Sequence, residues 1–279
     1  MDSQVINVAR SKVENIGALP TIPGTLKMVS AIIEKPRVTL EEIGRFVSND
    51  PALTTRVLKM VNSAAFGFRG RISSVPHAIM LLGINVVKGL LLGISVFEIM
   101  EKVMKGLWKH SLGCAVAARA IAEMKGLKDQ EEIYAAGLLH DLGKVLLILL
   151  FQQQYEAAMN EVTAKNITIA EAETQFFSDT HPAVGMWLAE KWHFPRNLVE
   201  VIAFHHFPSR STLAPLETAI VHLSDILVRS RGIGFPGDPF VPAVNPAAFE
   251  LLNLSREDMK DVLARVEESV ETADDLAQE

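Results

Sequence analysis

Residues 135–147 read AAGLLHDLGKVLL, and this apolar stretch contains an imidazole, a carboxylate and an ammonium group within five residues. His140, Asp141 and Lys144 carry these groups. Burying a neutral polar group without a partner costs roughly 2–7 kcal/mol, and burying a charge costs more. A bound metal ion would compensate such groups. The segment is therefore the expected centre of any chemistry in this chain.

Apolar residues recur at helical spacing along almost the whole chain, and few segments alternate as strands do. The sequence therefore predicts an all-α fold with many helices. Their predicted ranges are about 5–16, 26–33, 50–61, 75–82, 85–100, 103–124, 130–151, 155–165, 169–177, 182–192, 196–204 and 215–229, with a loop at 232–246.

Several predicted helix ends carry specific signals. Thr39, followed three residues later by Glu42, predicts a capping box. Asp50 predicts another helix start, because Pro51 follows it. Proline suits the first turn of a helix, where its missing N–H costs no hydrogen bond. Ser255 is predicted to cap the last helix. Predicted stops and loop positions are Gly17, Pro20, Pro23, Gly67 and Gly70.

Histidines divide the chain unevenly, because seven of the eight lie after residue 102. Residues 1–101 contain one histidine, His77. They are predicted to form an N-terminal helical subdomain for packing and recognition. Residues 102–254 are predicted to form a helical metal-binding subdomain. Residues 255–279 are predicted to form a C-terminal helix with an acidic tail.

Composition excludes some classes of function. The net charge of −6 and the pI near 5.8 provide no basic surface of the kind that binds nucleic acid, so no nucleic-acid partner is expected. The hydrophobic fraction of 49% predicts that much helical surface is buried, either in the core or against a partner, which includes a second copy of the chain.

The sequence also bears on the cellular compartment. Cys114 is the only cysteine, so no internal disulfide can form and a reducing compartment is expected. The N-terminus lacks the basic and apolar regions of a secretory signal, and the longest apolar stretches are interrupted or too short to cross a bilayer. A soluble cytoplasmic protein without a membrane partner is therefore predicted.

Candidate metal ligands are spread over several predicted helices, so only the tertiary fold could bring them together. They are His110, His140, Asp141, His181, His205, His206 and Asp225. Imidazoles mixed with carboxylates suit Fe, Mn, Zn or Ni, and the lack of a cysteine cluster argues against a structural zinc knuckle. Asp141, next to a histidine, is the natural shared ligand of a binuclear centre.

A metal pair at this place would polarise a phosphoryl group and lower the pKa of a bridging water. Asp141 and Lys144 are then the candidate catalytic residues, although Lys144 would equally pair with Asp141 on the same helix. His222 lies three residues before Asp225 and is a candidate to orient it.

Each of these assignments has a plainer alternative. His77, His193 and His222 fit hydrogen-bonded core histidines, and Cys114 fits a small buried apolar residue. The pair His205-His206 fits a helix end facing solvent, flanked by Phe204 and Phe207, and Gly143-Lys144 fits the end of one helix and the start of the next. Residue spacing alone leaves these alternatives open.

A series of motifs occurs in a fixed order through most of the chain. They are Leu19-Pro20-Thr21-Ile22-Pro23, Asn49-Asp50-Pro51-Ala52-Leu53-Thr54, Val61-Asn62-Ser63-Ala64-Ala65-Phe66, Ala78-Ile79 with Leu82-Gly83, Trp108-Lys109-His110-Ser111, residues 137–144, His205-His206 and His222-Leu223-Ser224-Asp225. Together they resemble the HDOD family, a branch of the HD superfamily found in bacterial signalling. The resemblance covers roughly residues 13–227.

The resemblance implies an all-helical HDOD architecture, with an N-terminal helical subdomain and a C-terminal HD-like subdomain. The four basic HD ligands correspond to His110, His140, Asp141 and Asp225. The additional histidines of the related HD-GYP phosphodiesterases correspond to His181, His205 and His206. Lys144 matches a lysine that lies near the scissile phosphate in such enzymes.

Two departures from the HD-GYP pattern matter for function. Phe207-Pro208-Ser209-Arg210 stands where the Gly-Tyr-Pro signature is expected, which argues against recognition of a cyclic dinucleotide. Gly106 replaces the glutamate of trinuclear members, which argues against a third metal.

Two functional hypotheses follow. In the first, the chain is a regulatory HDOD protein whose metal shapes a pocket or stiffens the fold and whose partner is a signalling protein. In the second, it is a metal-dependent phosphohydrolase that acts on a phosphorylated small molecule through a metal-bound hydroxide.

Overall fold

The computed structural model describes residues 3–16, 24–63, 66, 68 and 71–273. Within these residues the fold is all-helical, as predicted, and contains no strands. The helices are α1 (Ser3–Glu14), α2 (Gly24–Ile33), α3 (Leu40–Ser48), α4 (Pro51–Val61), α5 (Val75–Leu82), α6 (Ile84–Val103), α7 (Leu107–Met124), α8 (Gln130–Leu139), α9 (Leu142–Leu150), α10 (Gln152–Lys165), α11 (Ile169–Phe176), α12 (His181–Lys191), α13 (Arg196–Phe204), α14 (Pro215–Ser230), α15 (Pro246–Leu252) and α16 (Arg256–Ala273).

The predicted helix caps are present. The Thr39 hydroxyl accepts a hydrogen bond from the backbone N–H of Glu42 at 3.1 Å, and the Glu42 carboxylate accepts one from the Thr39 N–H at 2.9 Å. Asp50 Oδ1 accepts from the N–H of Leu53 at 3.0 Å. Ser255 Oγ accepts from the Asp258 N–H at 3.1 Å. The signals at Gly17, Pro20, Pro23, Gly67 and Gly70, the family motif at 19–23 and the end of the acidic tail lie outside the described residues.

The single helix predicted over residues 130–151 is wrong, because the structure divides it into α8 and α9. His140 and Asp141 form the turn between the two helices. Just after the break, Gly143 packs against the start of α12. A Cβ added at Gly143 would overlap the backbone carbonyl of His181. Gly143 thus allows α9 to contact the start of α12 closely, and the His140 and Asp141 side chains in the turn before it are buried.

Two further differences concern the segments around α7. The helix predicted from residue 103 begins at Leu107, because α6 continues to Val103 and Gly106 adopts a left-handed conformation with φ of 93°. The carbonyl of Gly106 accepts a hydrogen bond from the N–H of Phe235 at 3.0 Å, so the loop after α14 is fastened to the start of α7. The short helix α15 was not predicted from the sequence.

Buried apolar side chains form one continuous core that runs from Val13 in α1 to Val270 in α16. α7 packs against α8, α14 and α16, whereas α6 packs against both α2 and α8. The predicted division near residue 101 falls within α6 and stays a prediction. The combined α8 and α9 segment, Gln130–Leu150, is long and apolar enough to cross a membrane, but 94% of its apolar window is buried, as in the core helices of soluble proteins.

Candidate metal centre

The structure brings all seven predicted ligands together from five places in the fold. His110 lies in α7, His140 and Asp141 form the turn between α8 and α9, and Asp225 lies in α14. His181 is the first residue of α12, and the pair His205-His206 directly follows α13. All of these side chains except that of His206, which is partly exposed, belong to residues with at most 2% of their surface exposed. The centre is therefore closed to solvent on most sides.

Asp141 lies in the middle of this cluster, and its two carboxylate oxygens face opposite ways. Oδ2 lies 3.6 Å from His110 Nε2 and 3.3 Å from His140 Nε2. Oδ1 lies 3.3 Å from His181 Nε2 and 3.9 Å from His205 Nε2. A carboxylate in this position can contribute one oxygen to each of two neighbouring ions.

The remaining donor atoms fall into two groups beside Asp141. We call His110, His140 and Asp225 the His110 cluster, and His181, His205 and His206 the His181 cluster. Within each cluster the potential ligand atoms lie within 4.8 Å of one another, and Cys114 belongs to the first by the same measure. The spacing is that of atoms able to share an ion.

Hydrogen bonds fix the tautomers of two histidines. His140 Nδ1 lies 2.7 Å from the carbonyl of Gly137, and His205 Nδ1 lies 2.8 Å from the carbonyl of Ile202. Since a carbonyl only accepts, each Nδ1 donates and, in the neutral ring, each Nε2 carries a lone pair. Among the described residues neither Nε2 has a hydrogen-bond partner, and neither does Asp141 Oδ1.

These three buried, unpartnered acceptors are the test of whether a metal fits. Buried polar atoms normally have a partner, and leaving one without it costs about 1–3 kcal/mol. Cations bound at the centre would give each of these three acceptors a partner. The residues present therefore fit a divalent metal ion.

Glu173, which the sequence did not single out, holds His181 in place. Its Oε2 accepts from His181 Nδ1 at 2.7 Å and from the His181 backbone N–H at 2.8 Å. Tyr155 donates its hydroxyl hydrogen to the other oxygen of Glu173 at 3.1 Å. A carboxylate behind a histidine is the common second partner of metal-bound imidazole, and it directs the His181 Nε2 lone pair towards the centre. His206 Nε2 lies 3.0 Å from His181 Nε2.

Asp225 is held by Arg229 and not by His222. Arg229 Nε donates to Asp225 Oδ1 at 2.8 Å, and its Nη1 donates to Asp238 Oδ1 at 3.1 Å. His222 Nδ1 donates instead to the carbonyl of His205 at 2.7 Å, and its Nε2 accepts from the N–H of Asn245 at 3.0 Å. Both nitrogens of His222 are thus engaged with backbone, so the expectation that His222 orients Asp225 is wrong.

Arg229 lies four residues after Asp225, the spacing of a helical ion pair, and was within reach of sequence reasoning. Glu173 and Asp238 carried no comparable signal, because their partners lie on other elements. Asp238 Oδ2 also accepts from the N–H of Ile169 at 2.9 Å, and so ties the start of α11 to the Arg229 network.

Lys144 is fully buried, and its Nζ donates to Asp141 Oδ2 at 2.7 Å. Of the two roles predicted from the sequence, the structure shows the pairing with Asp141. The other role, at a substrate phosphate, stays a prediction.

The pKa directions of the two carboxylates and of His205 suit a metal ligand set, whereas burial would lower the pKa of His140 but the adjacent Asp141 outweighs it and raises this pKa. Burial would raise the pKa of Asp141, but the neighbouring His140 and Lys144 outweigh it and hold this pKa well below the usual range. Burial would likewise raise the pKa of Asp225, and Arg229 with His110 holds it well below that range. Burial lowers the pKa of His205 well below its usual value, and nearby imidazoles add to the effect. Ionised carboxylates and neutral imidazoles are the forms that bind metal.

Comparisons with known proteins show what this chain is similar to. The HDOD domain model matches residues 19–208. An uncharacterized protein from Treponema pallidum is 29% identical over 212 residues, which are 74% of this chain and 41% of that protein. The chain thus spans about two fifths of the length of the curated relative that it matches.

Solved structures share the fold over nearly the whole chain. An HDOD domain protein of unknown function from Geobacter sulfurreducens has a TM-score of 0.68 at 25% identity, with 98% of each chain covered. A protein from Marinobacter aquaeolei, provisionally named for signal transduction, has a TM-score of 0.71 at 20% identity. The match covers 99% of this chain and 65% of the Marinobacter chain. A protein from Shewanella amazonensis, provisionally named a phosphohydrolase, has a TM-score of 0.66 at 18% identity, with 95% and 97% covered.

Proposed function

The chain belongs to the HDOD family, and from this premise we propose that it is a regulatory, signal-transducing module built around an HD-type metal site. The metal joins five helical segments, and the output is contact with a signalling protein. The observation that carries this proposal is the set of three buried acceptors, His140 Nε2, His205 Nε2 and Asp141 Oδ1, that converge without hydrogen-bond partners in the described part of the chain.

Burial of the donor set supports a structural use of the metal. Structural metal sites are closed by protein ligands, whereas catalytic sites keep an open position for water or substrate. Here six of the seven ligand residues have at most 2% of their surface exposed, and Lys144 is fully buried as well. A centre of this kind stabilises one arrangement of helices, which is what a protein-binding surface requires.

The proposed ligands divide between two ions. The His110 cluster would hold one ion and the His181 cluster the other, with Asp141 shared between them. Nitrogen and oxygen donors of this type suit Fe, Mn, Zn or Ni. When bound, the ions would supply Lewis acidity. Glu173 and Arg229 would keep His181 and Asp225 oriented whether or not a substrate is present.

A second candidate function is metal-dependent phosphohydrolysis, and the partly exposed His206 favours it. This side chain forms the edge of the His181 cluster at which a phosphorylated small molecule could approach. Lys144 would then leave Asp141 and neutralise charge on the phosphate. The complete donor set supports this candidate, whereas the burial of Lys144 and the replaced segment Phe207-Pro208-Ser209-Arg210 support the first.

Metal content tests the site itself. Elemental analysis of the purified chain should find a transition metal in the wild type and in His77→Ala, since His77 is exposed on α5. The double variant His140→Ala, Asp141→Ala should contain almost none. Equal metal in the double variant and the wild type would refute the proposed site.

Turnover separates the two functions. The metal-loaded wild type is incubated with a panel of phosphodiesters and nucleotides in the presence of Mn²⁺ or Fe²⁺, with the same double variant as the blank. The regulatory proposal predicts hydrolysis no faster than the double variant. Hydrolysis that is faster than in the double variant, and that is lost in Lys144→Met, would show that the chain is a phosphohydrolase and would refute the regulatory proposal.

A further inference from the structure

Cys114 lies within the candidate metal centre, although the sequence analysis predicted only a small buried apolar residue. It follows His110 by one helical turn on α7, so both side chains leave the helix on the same face. The residue is fully buried, and its Sγ lies 3.5 Å from His110 Nε2. Its potential ligand atom lies within 4.8 Å of those of His140 and Asp225 as well.

The separation of Sγ and Nε2 matches two ligands of one ion. Metal bonds of about 2.3 Å to sulfur and about 2.0–2.1 Å to nitrogen, at a tetrahedral angle, place the two donor atoms about 3.5 Å apart. The observed distance is 3.5 Å. His110 Nε2 and Asp225 Oδ1, at 3.2 Å, have a spacing that suits a shared ion as well.

A second observation is independent of the cysteine. His140 Nε2 belongs to the same group of four residues, is buried, and has no hydrogen-bond partner among the described residues. A hydrogen bond between Cys114 and His110 would leave this lone pair without a partner. An ion beside Cys114 would satisfy both side chains together.

We infer that Cys114 is a sulfur ligand of the ion in the His110 cluster, and this inference rests on the proposed metal site. The ion then has a soft thiolate beside imidazole and carboxylate donors, so the cluster selects Zn²⁺, Co²⁺ or Fe²⁺ over Mn²⁺ and Mg²⁺. On binding, a sulfur–metal bond replaces the S–H bond, and the proton passes to the buffer. The His181 cluster has no sulfur, so the two ions differ in their surroundings.

Cobalt spectroscopy tests this ligand directly. Because Cys114 is the only cysteine in the chain, any thiolate-to-cobalt charge-transfer band in the near ultraviolet must come from it. The wild type loaded with Co²⁺ should show this band together with the visible bands of bound cobalt. Cys114→Ala should lose the charge-transfer band, keep visible bands, and bind Zn²⁺ at least about tenfold more weakly.

Two controls and two contrary outcomes complete the test. Ser111→Ala, at a buried position of the same helix, and His206→Ala, in the other cluster, should both retain the charge-transfer band. Bound cobalt without that band in the wild type would overturn the sulfur ligand while leaving the metal site intact. A wild type that binds no cobalt would overturn the metal site and this inference together.

Discussion

His140 and His205 are oriented by the same kind of hydrogen bond, which explains how an apolar helix can end in a candidate metal ligand. Each follows the last residue of a helix, and each Nδ1 donates to the carbonyl three residues earlier. The last carbonyls of a helix have no partner within it. The helix end therefore orients the imidazole before any metal arrives, and the Nε2 lone pairs of both rings point to the centre.

The side chain of Arg229 stabilises buried negative charge. The guanidinium is buried, and it pairs with Asp225 and Asp238, both of which are also buried. Arg229→Met would leave two carboxylates without this cation. Removing one partner of a buried ion pair destabilises a protein by about 3–5 kcal/mol. We expect a loss of that size in the free energy of unfolding, measured by urea titration monitored by circular dichroism.

Arg231→Met is the matched control, since Arg231 pairs with Glu267 on the surface. Exposed ion pairs contribute about 0–1 kcal/mol. Comparable losses in the two variants would show that burial of the Arg229 pair has no special energetic role.

Among the helix–helix contacts, the packing of α9 against α12 determines the shape of the centre. Gly143 lies at the start of α9, and the backbone of His181 at the start of α12 leaves no room for a Cβ there. Gly143→Ala would force the two helix ends apart. Overpacking of a core typically costs about 1–3 kcal/mol, and occasionally more. We expect a loss of at least this size in unfolding free energy, with less bound metal.

Gly24→Ala provides the comparison for this change. A Cβ at Gly24, the first residue of α2, would have no atom within 4 Å. This variant should keep wild-type stability and metal content. A Gly143→Ala protein as stable as Gly24→Ala would contradict the steric account of the break between α8 and α9.

The connection between α13 and α14 depends on one carboxylate and should respond to pH. Glu200 accepts hydrogen bonds from the Ser211 hydroxyl at 2.6 Å and from the N–H groups of Leu213 and Ala214 at 2.8 and 3.0 Å. Burial would raise the pKa of Glu200, but these hydrogen bonds outweigh it and lower the pKa below its usual value. A lowered pKa in the folded state stabilises the protein above the pKa of the unfolded chain. That stability is lost as the pH falls through the pKa of the folded state.

Glu200→Gln should therefore cost about 1.5–3 kcal/mol at pH 7, the contribution of a hydrogen bond to a charged group. The difference from the wild type should shrink as the pH falls below the usual carboxyl range. Urea titrations at pH 7 and pH 4 measure this, with the exposed Glu250→Gln as the control. A difference that stays constant with pH would show that the Glu200 charge is not involved.

At the scale of the whole molecule, the sequence predicted the all-helical fold and the set of candidate ligands. Helical periodicity and caps such as Thr39 are local signals, so they were readable. A break near Gly143-Lys144 was one of the open alternatives, whereas the role of Glu173 and the link from Asp238 to α11 were not readable. Each depends on a contact between elements far apart in the chain. Cys114 is buried, as predicted, but its closeness to His140 and Asp225 was not readable, because those residues lie on other elements.

The metal should stabilise the whole molecule, because its proposed ligands come from α7, the α8–α9 turn, α12, α14 and the segment after α13. A ligand that binds only the folded state adds about 2.7 kcal/mol when its concentration is 100 times Kd. For a chain of this size, each kcal/mol raises Tm by roughly 2–4 °C. We therefore expect a chelator to lower Tm by roughly 5–10 °C, and added metal to restore it.

The His140→Ala, Asp141→Ala variant distinguishes this effect from non-specific metal binding. Its Tm should be low and should respond neither to chelator nor to added metal, since the shared carboxylate and one imidazole are gone. His77→Ala should follow the wild type in both respects, because His77 lies outside the cluster. An equal response of Tm in the double variant would place the stabilising ion elsewhere. Stabilisation confined to chains with both side chains would identify the ion at Asp141 as the one that holds these helical segments together.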